Sequence, residues 1–173
     1  MAAALPGPSL PPHDGRFDDR LFRQTLGRFA TGVVLLTASI DGVPLGLVVN
    51  SFSSVSLHPP LVSFCVTRAS LTWRRMRPVR RFGINVLAAH HADYVRRAAP
   101  PGADRFTDIE YRHSAAGTPI LADAVAFIEC KLEDEHEAGD HLIALGRAEE
   151  LLHNSGHEPL LFWNGSYGTF RRT

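Results

Sequence analysis

The segment Val33-Val34-Leu35-Leu36-Thr37-Ala38-Ser39-Ile40-Asp41-Gly42-Val43-Pro44-Leu45-Gly46-Leu47-Val48-Val49-Asn50 constrains the fold more than any other. Two apolar, β-branched runs flank Asp41-Gly42, a pair that tolerates the positive φ angles of a tight hairpin. This commits the chain to neighbouring antiparallel strands. Residues 124–152 repeat the design at greater length. There Ala126, Ile128, Cys130 and Leu132 alternate with Phe127, Glu129, Lys131 and Glu133, and a turn is predicted near Glu137-Ala138-Gly139-Asp140. "LVSFCVT" (61–67) and "RFGINVLA" (81–88) read as further strands, and "PLLFWNGSYGTF" (159–170) as a final strand or strand pair.

Helices are fewer. Phe17, Leu21, Phe22, Leu26 and Phe29 follow helical spacing, with Asp18 as a cap and Gly32 as a stop, and form a packing face. "SLTWRRMRPV" (70–79) reads as a short helix with Ser70 at its N-cap, and "HHADYVRRAA" (90–99) as another, ended by Pro100-Pro101. Residues 102–120 read mostly as loop. Residues 1–16, rich in Pro and Gly, read as a disordered tail, and 17–173 as one domain. A chain of 173 residues buries roughly 70% of its unfolded surface without staples. Hairpins dominate, so the expected architecture is mainly β: an antiparallel barrel with a few helices outside.

Charge excludes some functions. Basic and acidic residues balance at 18 each, which argues against a nucleic-acid surface. No apolar run approaches the ~20 residues of a membrane span, so no membrane association is expected. The N-terminus has no basic start and is broken by prolines, unlike a secretory signal, so a cytoplasmic location is expected. Cys65 and Cys130 lie inside apolar runs and read as core residues rather than a disulfide. The spacings His90-His91 and His153-x3-His157 lack a ligand framework, so no metal is expected. No dinucleotide, P-loop or nucleophile-elbow motif is present.

The polar residues that remain carry the functional signal. "VVNSFSSVSLHPP" (48–60) sets an asparagine and four serines between two apolar runs and closes with Pro59-Pro60. Asn50 offers a donor and an acceptor, and Ser51, Ser53 and Ser54 are compact donors. Such a stretch either hydrogen-bonds itself as a crossover loop or coats a flat polar heterocycle and its phosphate. In "CVTRASLTW", Arg68, Ser70 and Thr72 either cap a helix or hold an anion. Asp140-His141 begins a strand just past a turn, where a side chain either faces a cleft or decorates the surface. Asn85 is a lone amide in a core strand, satisfied by backbone or turned to a ligand edge. Arg105 and Phe106 are either loop anchors or phosphate contacts. Trp73, Phe162, Trp163, Tyr167 and Phe170 read as core or dimer aromatics.

In this order the elements resemble the flavin reductase family of the FMN-binding split barrel, the small reductase components of two-component flavin monooxygenases. The matching blocks are "FRQTLGRFATGVVLLTA", "DGVPLGLVVNSFSSVSLHPPLVSFCV", "SLTW", "FGINVLA", "GTPILADAVAFIECKLEDEHEAGDHLIALGRAEEL" and "PLLFWNGSYGTF", covering residues 20–170. The resemblance implies a Greek-key split β-barrel, a homodimer, and flavin bound near the subunit interface. It implies hydride transfer from NADH or NADPH to FMN or FAD, and transient delivery of reduced flavin to a monooxygenase component. By the family pattern "NSFSSVS" (50–56) holds the flavin ring and ribityl chain, the Ser70 region takes the phosphate, and His141 lies near the nicotinamide and flavin rings; the full candidate set for the flavin is Val49, Asn50, Ser51, Ser53, Ser54, Arg68, Ala69, Ser70, Thr72, Asn85, Arg105, Phe106 and Tyr167. Many members carry Thr where this chain has Val48 or Val49, which alters one ring contact.

A missing catalytic triad is in keeping with this chemistry. The cofactors carry the hydride transfer, and the protein stacks them and stabilises charge growing on the flavin. Two other readings keep the fold: a flavin-dependent oxidoreductase acting on another substrate, and a flavin- or haem-binding module without turnover. A hydrolase built on the Ser-rich loop is a third alternative.

Overall fold

The computed structural model describes residues 18–98, 100 and 103–170; the expected tail (1–16) and Phe17 lie outside the described residues. The fold is mainly β and wholly antiparallel. Its main sheet has seven strands in the order β3-β2-β6-β9-β10-β5-β4. These are β2 (Val34–Ile40), β3 (Val43–Val49), β4 (Ser53–Leu57), β5 (Pro60–Thr67), β6 (Arg81–Val86), β9 (Ala126–Ala138) and β10 (His141–His153). A smaller sheet joins β1 (Thr31–Gly32) to β11 (Leu160–Trp163) and β12 (Ser166–Thr169), and β7 (Tyr111–His113) pairs with β8 (Pro119–Leu121).

Both predicted hairpins form. Asp41 and Gly42 take φ of 53° and 78°, the positive pair that a tight turn between right-twisted strands requires. β9 and β10 run antiparallel from the Gly139-Asp140 turn, with two register shifts along the way. β3 and β4 are the two edges of the main sheet, yet they are consecutive in sequence, joined by Asn50, Ser51 and Phe52. So short a link holds the facing ends within ~14 Å, and the sheet has to curl for its edges to approach.

The core lies on both faces of β2. Val34, Leu36 and Ala38 join one cluster with Phe64, Trp73, Phe82 and Ile84. Phe64 and Trp73 meet edge to face at 5.1 Å, and Phe64 and Phe82 at 5.3 Å. Val33 and Leu35 turn the other way, onto Leu87, Tyr94, Val95 and Leu121. A strand buried on both faces reads as a continuous apolar run, which is why this segment lacks alternation. Beside it Gly83 is obligatory for close packing: a Cβ there would stand 2.5 Å from the Phe127 ring and 2.7 Å from Thr37 Oγ1.

Three helices surround the sheets: α1 (Asp19–Leu26), α2 (Leu71–Met76) and α3 (Ala92–Ala98). Asp18 caps α1 by accepting from the Arg20 and Leu21 amides, but the helix ends at Gly27, not Gly32. No residue of α1 is buried. Leu21 and Leu26 are about half exposed and Phe29, beyond the helix, is 75% exposed, so much of the expected packing face lies open among the described residues. The α2 helix is clamped to the β9–β10 hairpin. Trp73 Nε1 donates to Glu135 at 2.7 Å across 62 residues, and Arg68 and Arg77 face Glu137 and Glu135 at 3.4 and 3.6 Å.

Two expectations from the sequence need correction. The Ser-rich stretch is only partly loop: Ser53–Leu57 form β4, paired with β5 and bulged between Ser54 and Ser56. The 102–120 segment contains β7 and the start of β8. Thr37 Oγ1 donates to Pro119 O at 2.7 Å and Leu121 N donates to Asn85 Oδ1 at 2.8 Å, so tertiary bonds hold β8 where sequence periodicity is absent.

Candidate active site

Where β3 leaves the sheet edge, a cleft of about 270 Å³ opens, walled by Leu47, Val48, Val49 and Val66 and rimmed by Asn50, Ser51, Thr67, Ser70 and His141. Its apolar wall comes from β3 and β5. Its polar rim comes from the β3–β4 link, the end of β5 and the start of β10, where His141 and Thr67 are cross-strand partners. A side cleft of about 190 Å³ shares Val48, Val49 and Asn50 and adds Val33, Phe162 and Tyr167. A wider groove of about 760 Å³ meets both at Asn50 and runs under α1, past Phe22, Leu26, Phe29 and Phe52.

The serines divide into two kinds. Ser51 Oγ donates to Cys65 O at 3.0 Å and accepts from Cys65 N at 2.9 Å. One hydroxyl thus replaces a strand-to-strand rung where the sheet splits. Ser53 lines the wider groove and its hydroxyl donates to Ser54 O at 3.2 Å, while Ser54 is exposed on β4. Asn50 is exposed, and its amide has no hydrogen-bond partner among the described residues. Asn50 therefore keeps a full set of donors and acceptors for a ligand.

His141 is oriented from behind. Its Nδ1 lies 2.7 Å from Asp140 Oδ1. That hydrogen bond holds the Asp140 carboxyl below its ordinary range, so the carboxylate is an acceptor and Nδ1 must carry the proton. Nε2 is left as the nitrogen available to a ligand.

Several predicted residues have partners within the fold. Asn85 is fully buried, its Nδ2 donating to Thr37 Oγ1 at 3.1 Å and to the Leu35 and Pro119 carbonyls at 3.4 Å, so its amide faces the core and no ligand edge. Arg105 is 7% exposed, with its guanidinium on the Ala103 and Pro100 carbonyls, and Phe106 stacks edge-on to Tyr111 at 4.9 Å; both are loop anchors. Ser70 caps α2 by accepting from Trp73 N at 3.2 Å. Arg68 and Ala69 are exposed in the turn before α2, Arg68 facing Glu137, and neither they nor Thr72 line the cleft. Val49, Asn50, Ser51, Ser70 and His141 do come together, and Tyr167 joins the side cleft with its ring against Phe162 at 5.4 Å.

Sequence reasoning missed Thr67, Cys65 and Phe162. Only the β5–β10 and β1–β11 registers bring them to the site, and no local pattern encodes a register. It also missed a histidine group: His90 and His157 face Asp123 at 3.8 and 3.9 Å, and buried His91, its Nδ1 accepting from Ala88 N, is pushed down to about 4 by burial. Among the described residues no set of three His, Cys, Asp or Glu side chains is arranged to hold a metal ion. Cys65 and Cys130 are both free, and burial pushes the Cys130 thiol up to about 12.

Comparison with known proteins places this geometry in context. The family described as "Flavin reductase like domain" matches residues 26–171. The reductase subunit HsaB of a flavin-dependent monooxygenase from Rhodococcus jostii is 41% identical over 150 residues, 87% of this chain and 77% of the relative. A flavin reductase of Pseudomonas putida is 42% identical over 154 residues, 88% and 91% of the two chains. Among solved structures, the NADH:FAD oxidoreductase SgcE6 of Streptomyces globisporus, in complex with NAD and FAD fragments, superposes with a TM-score of 0.83. It is 34% identical, with 88% of this chain and 93% of that chain covered.

Proposed function

Because this chain belongs to the flavin reductase-like family, we propose that the cleft at the β3–β4 link is the flavin site of an NAD(P)H:flavin oxidoreductase. The enzyme oxidises NADH or NADPH, reduces FMN or FAD, and supplies reduced flavin to a monooxygenase partner. The observation that carries the assignment of the site is the meeting of Asn50's unpartnered amide, the apolar β3–β5 wall and His141 in one open cleft. The donor set fits the group: a flat apolar wall accepts a ring face, and the amide and imidazole at its rim accept a polar ring edge.

When bound, flavin and nicotinamide supply the hydride chemistry themselves. The chain's residues bind and orient. Val48, Val49 and Val66 would give the ring an apolar surface, and Asn50 would hold its polar edge. Ser51 holds that loop against β5, so Asn50 is presented from a braced position rather than a mobile one. Asp140 holds His141 in one tautomer, so that Nε2 would be the nitrogen available to orient the nicotinamide amide or to hydrogen-bond the flavin ring.

The same reading extends to assembly. We propose that the curled sheet closes as a Greek-key split barrel over residues 17–173 and pairs as a homodimer in the cytoplasm. The exposed Leu21, Leu26 and Phe29, together with Val55 and Leu57 on the edge strand β4, support a second copy of the chain covering this side. Among the described residues no helix is long and apolar enough to cross a membrane.

The test is an anaerobic assay at 340 nm with NADH or NADPH and excess FMN, FAD or riboflavin. Saturable, flavin-dependent loss of absorbance is expected, and the preferred pair names the cofactors. Flavin binding without any oxidation would overturn the enzyme reading.

A further inference from the structure

A second cleft lies at the far end of the long hairpin. It holds about 240 Å³ and opens between the β7–β8 pair and the residues where β9 begins and β10 ends. His141 opens β10 and His153 closes it; 13 residues at ~3.3 Å each set those ends roughly 40 Å apart along the strand. The walls are apolar. Ala122, Ala124 and Ala126 line the cleft with methyl-sized side chains and leave a slot beside the Phe127 ring. The polar atoms at its rim are donors. Arg112 is the cross-strand partner of buried Ile120, and directly opposed residues share a face, so its side chain lies on the cleft's side of β7. Tyr111 and His113 take the other face and stack at 5.6 Å. Among the described residues the side chains of Arg112 and His153 have no partner. Asn154 Oδ1 accepts from Gly156 N at 3.0 Å, which leaves its NH2 group to donate. Among the described residues no carboxylate lines the cleft; Asp123, between two of the lining alanines, turns to His90 and His157 at 3.8 and 3.9 Å.

We propose that this cleft binds a small aromatic carboxylate. Sites for drug-sized ligands measure ~300–1,000 Å³, so about 240 Å³ takes a single ring. The ring lies on the alanine wall against Phe127, and the offset or edge-on contact between aromatic rings favours a flat aromatic body over an aliphatic one. The carboxylate meets the Arg112 guanidinium, whose two parallel N–H groups match its two oxygens. The imidazole of His153 and the Asn154 amide supply further donors at the same rim. The cleft shares no lining residue with the clefts that meet at Asn50, so this inference does not depend on the flavin-site reading.

The test titrates the full chain with sodium benzoate, benzamide and sodium acetate and follows backbone amide shifts by NMR. Benzoate is expected to bind with a Kd of about 0.1–1 mM, in keeping with so small a ligand, and to move the amides of Arg112, Ala122–Phe127 and His153. Benzamide, which keeps the ring and loses the charge, binds at least several-fold more weakly, and acetate, which keeps the charge and loses the ring, does not saturate. Arg112→Gln weakens benzoate about tenfold and leaves benzamide unchanged, which shows the slot intact; Arg97→Gln, on exposed α3 away from the cleft, changes neither. Acetate binding as tightly as benzoate overturns the proposal, because the cleft then takes any anion. Equal affinity for benzoate and benzamide overturns it, as does an Arg112→Gln variant with unchanged benzoate affinity or an equal effect of Arg97→Gln. Benzoate shifts that centre on Asn50 and His141 and vanish with saturating FMN overturn it in favour of the other cleft, and no shifts at all overturn it outright.

Discussion

Two asparagines show how one side chain takes opposite roles in the same sheet. Asn85, in the middle of β6, is sealed off and bonded on all sides to Leu35, Thr37, Pro119 and Leu121. Asn50, one residue past the end of β3, is exposed with its amide unused by the fold. Around Asn85 the polar groups form a closed system: Thr118 Oγ1 donates to buried Glu129 at 2.6 Å, and Thr37 ties β2 to β8. Around Asn50 the groups form an open edge, stitched to the sheet through the Ser51 hydroxyl. Partners, not composition, separate a structural polar cluster from a site.

Three substitutions sharpen this contrast. The largest effect is expected from Asn85→Ala, which strands the Leu121 N–H in the core and removes the amide that donates to Thr37 Oγ1. It should destabilise the protein by about 3 kcal/mol, read as a lower urea midpoint, while folded protein keeps its flavin affinity. A loss of flavin binding with stability intact would put Asn85 back in the site. Ser51→Ala should cost about 1–2 kcal/mol and also weaken flavin several-fold, since the hydroxyl holds the loop that presents Asn50. If flavin affinity is untouched, the brace and the site are independent. Asn50→Ala should leave stability within about 0.5 kcal/mol and weaken flavin about tenfold, measured by fluorescence titration. Reversed rankings for the two asparagines would break the comparison.

Much of the β architecture was legible in the chain. Asp41-Gly42 specified its turn through backbone angles that few residues tolerate, and the β9–β10 alternation announced a long hairpin. What was illegible depended on tertiary context. Glu129 reads as an exposed position in an alternating strand but is 2% exposed, because Thr118 and Ser114 arrive from another segment to satisfy it. Tyr111–His113 have no apolar alternation and are a strand only because β8 lies beside them. The α1 face follows the helical period correctly, yet none of the helix's residues is buried. In the site, Asn50 and His141 were readable from unusual residues beside turns. For Asn85 and Arg105 the residues alone leave a ligand contact and a structural role both open, because their burial leaves no mark in the local sequence.

The clamp on α2 bears on the order of folding. A six-residue helix cannot persist alone, and the indole bond and ion pairs that fix it come from a hairpin not yet synthesised when α2 leaves the ribosome. Contacts of such long sequence separation form late. Substitutions at the Trp73–Glu135 contact are therefore expected to speed unfolding while leaving the refolding rate almost unchanged. The turn that shapes the mouth of the cleft is, on this account, among the last parts of the molecule to take its final form.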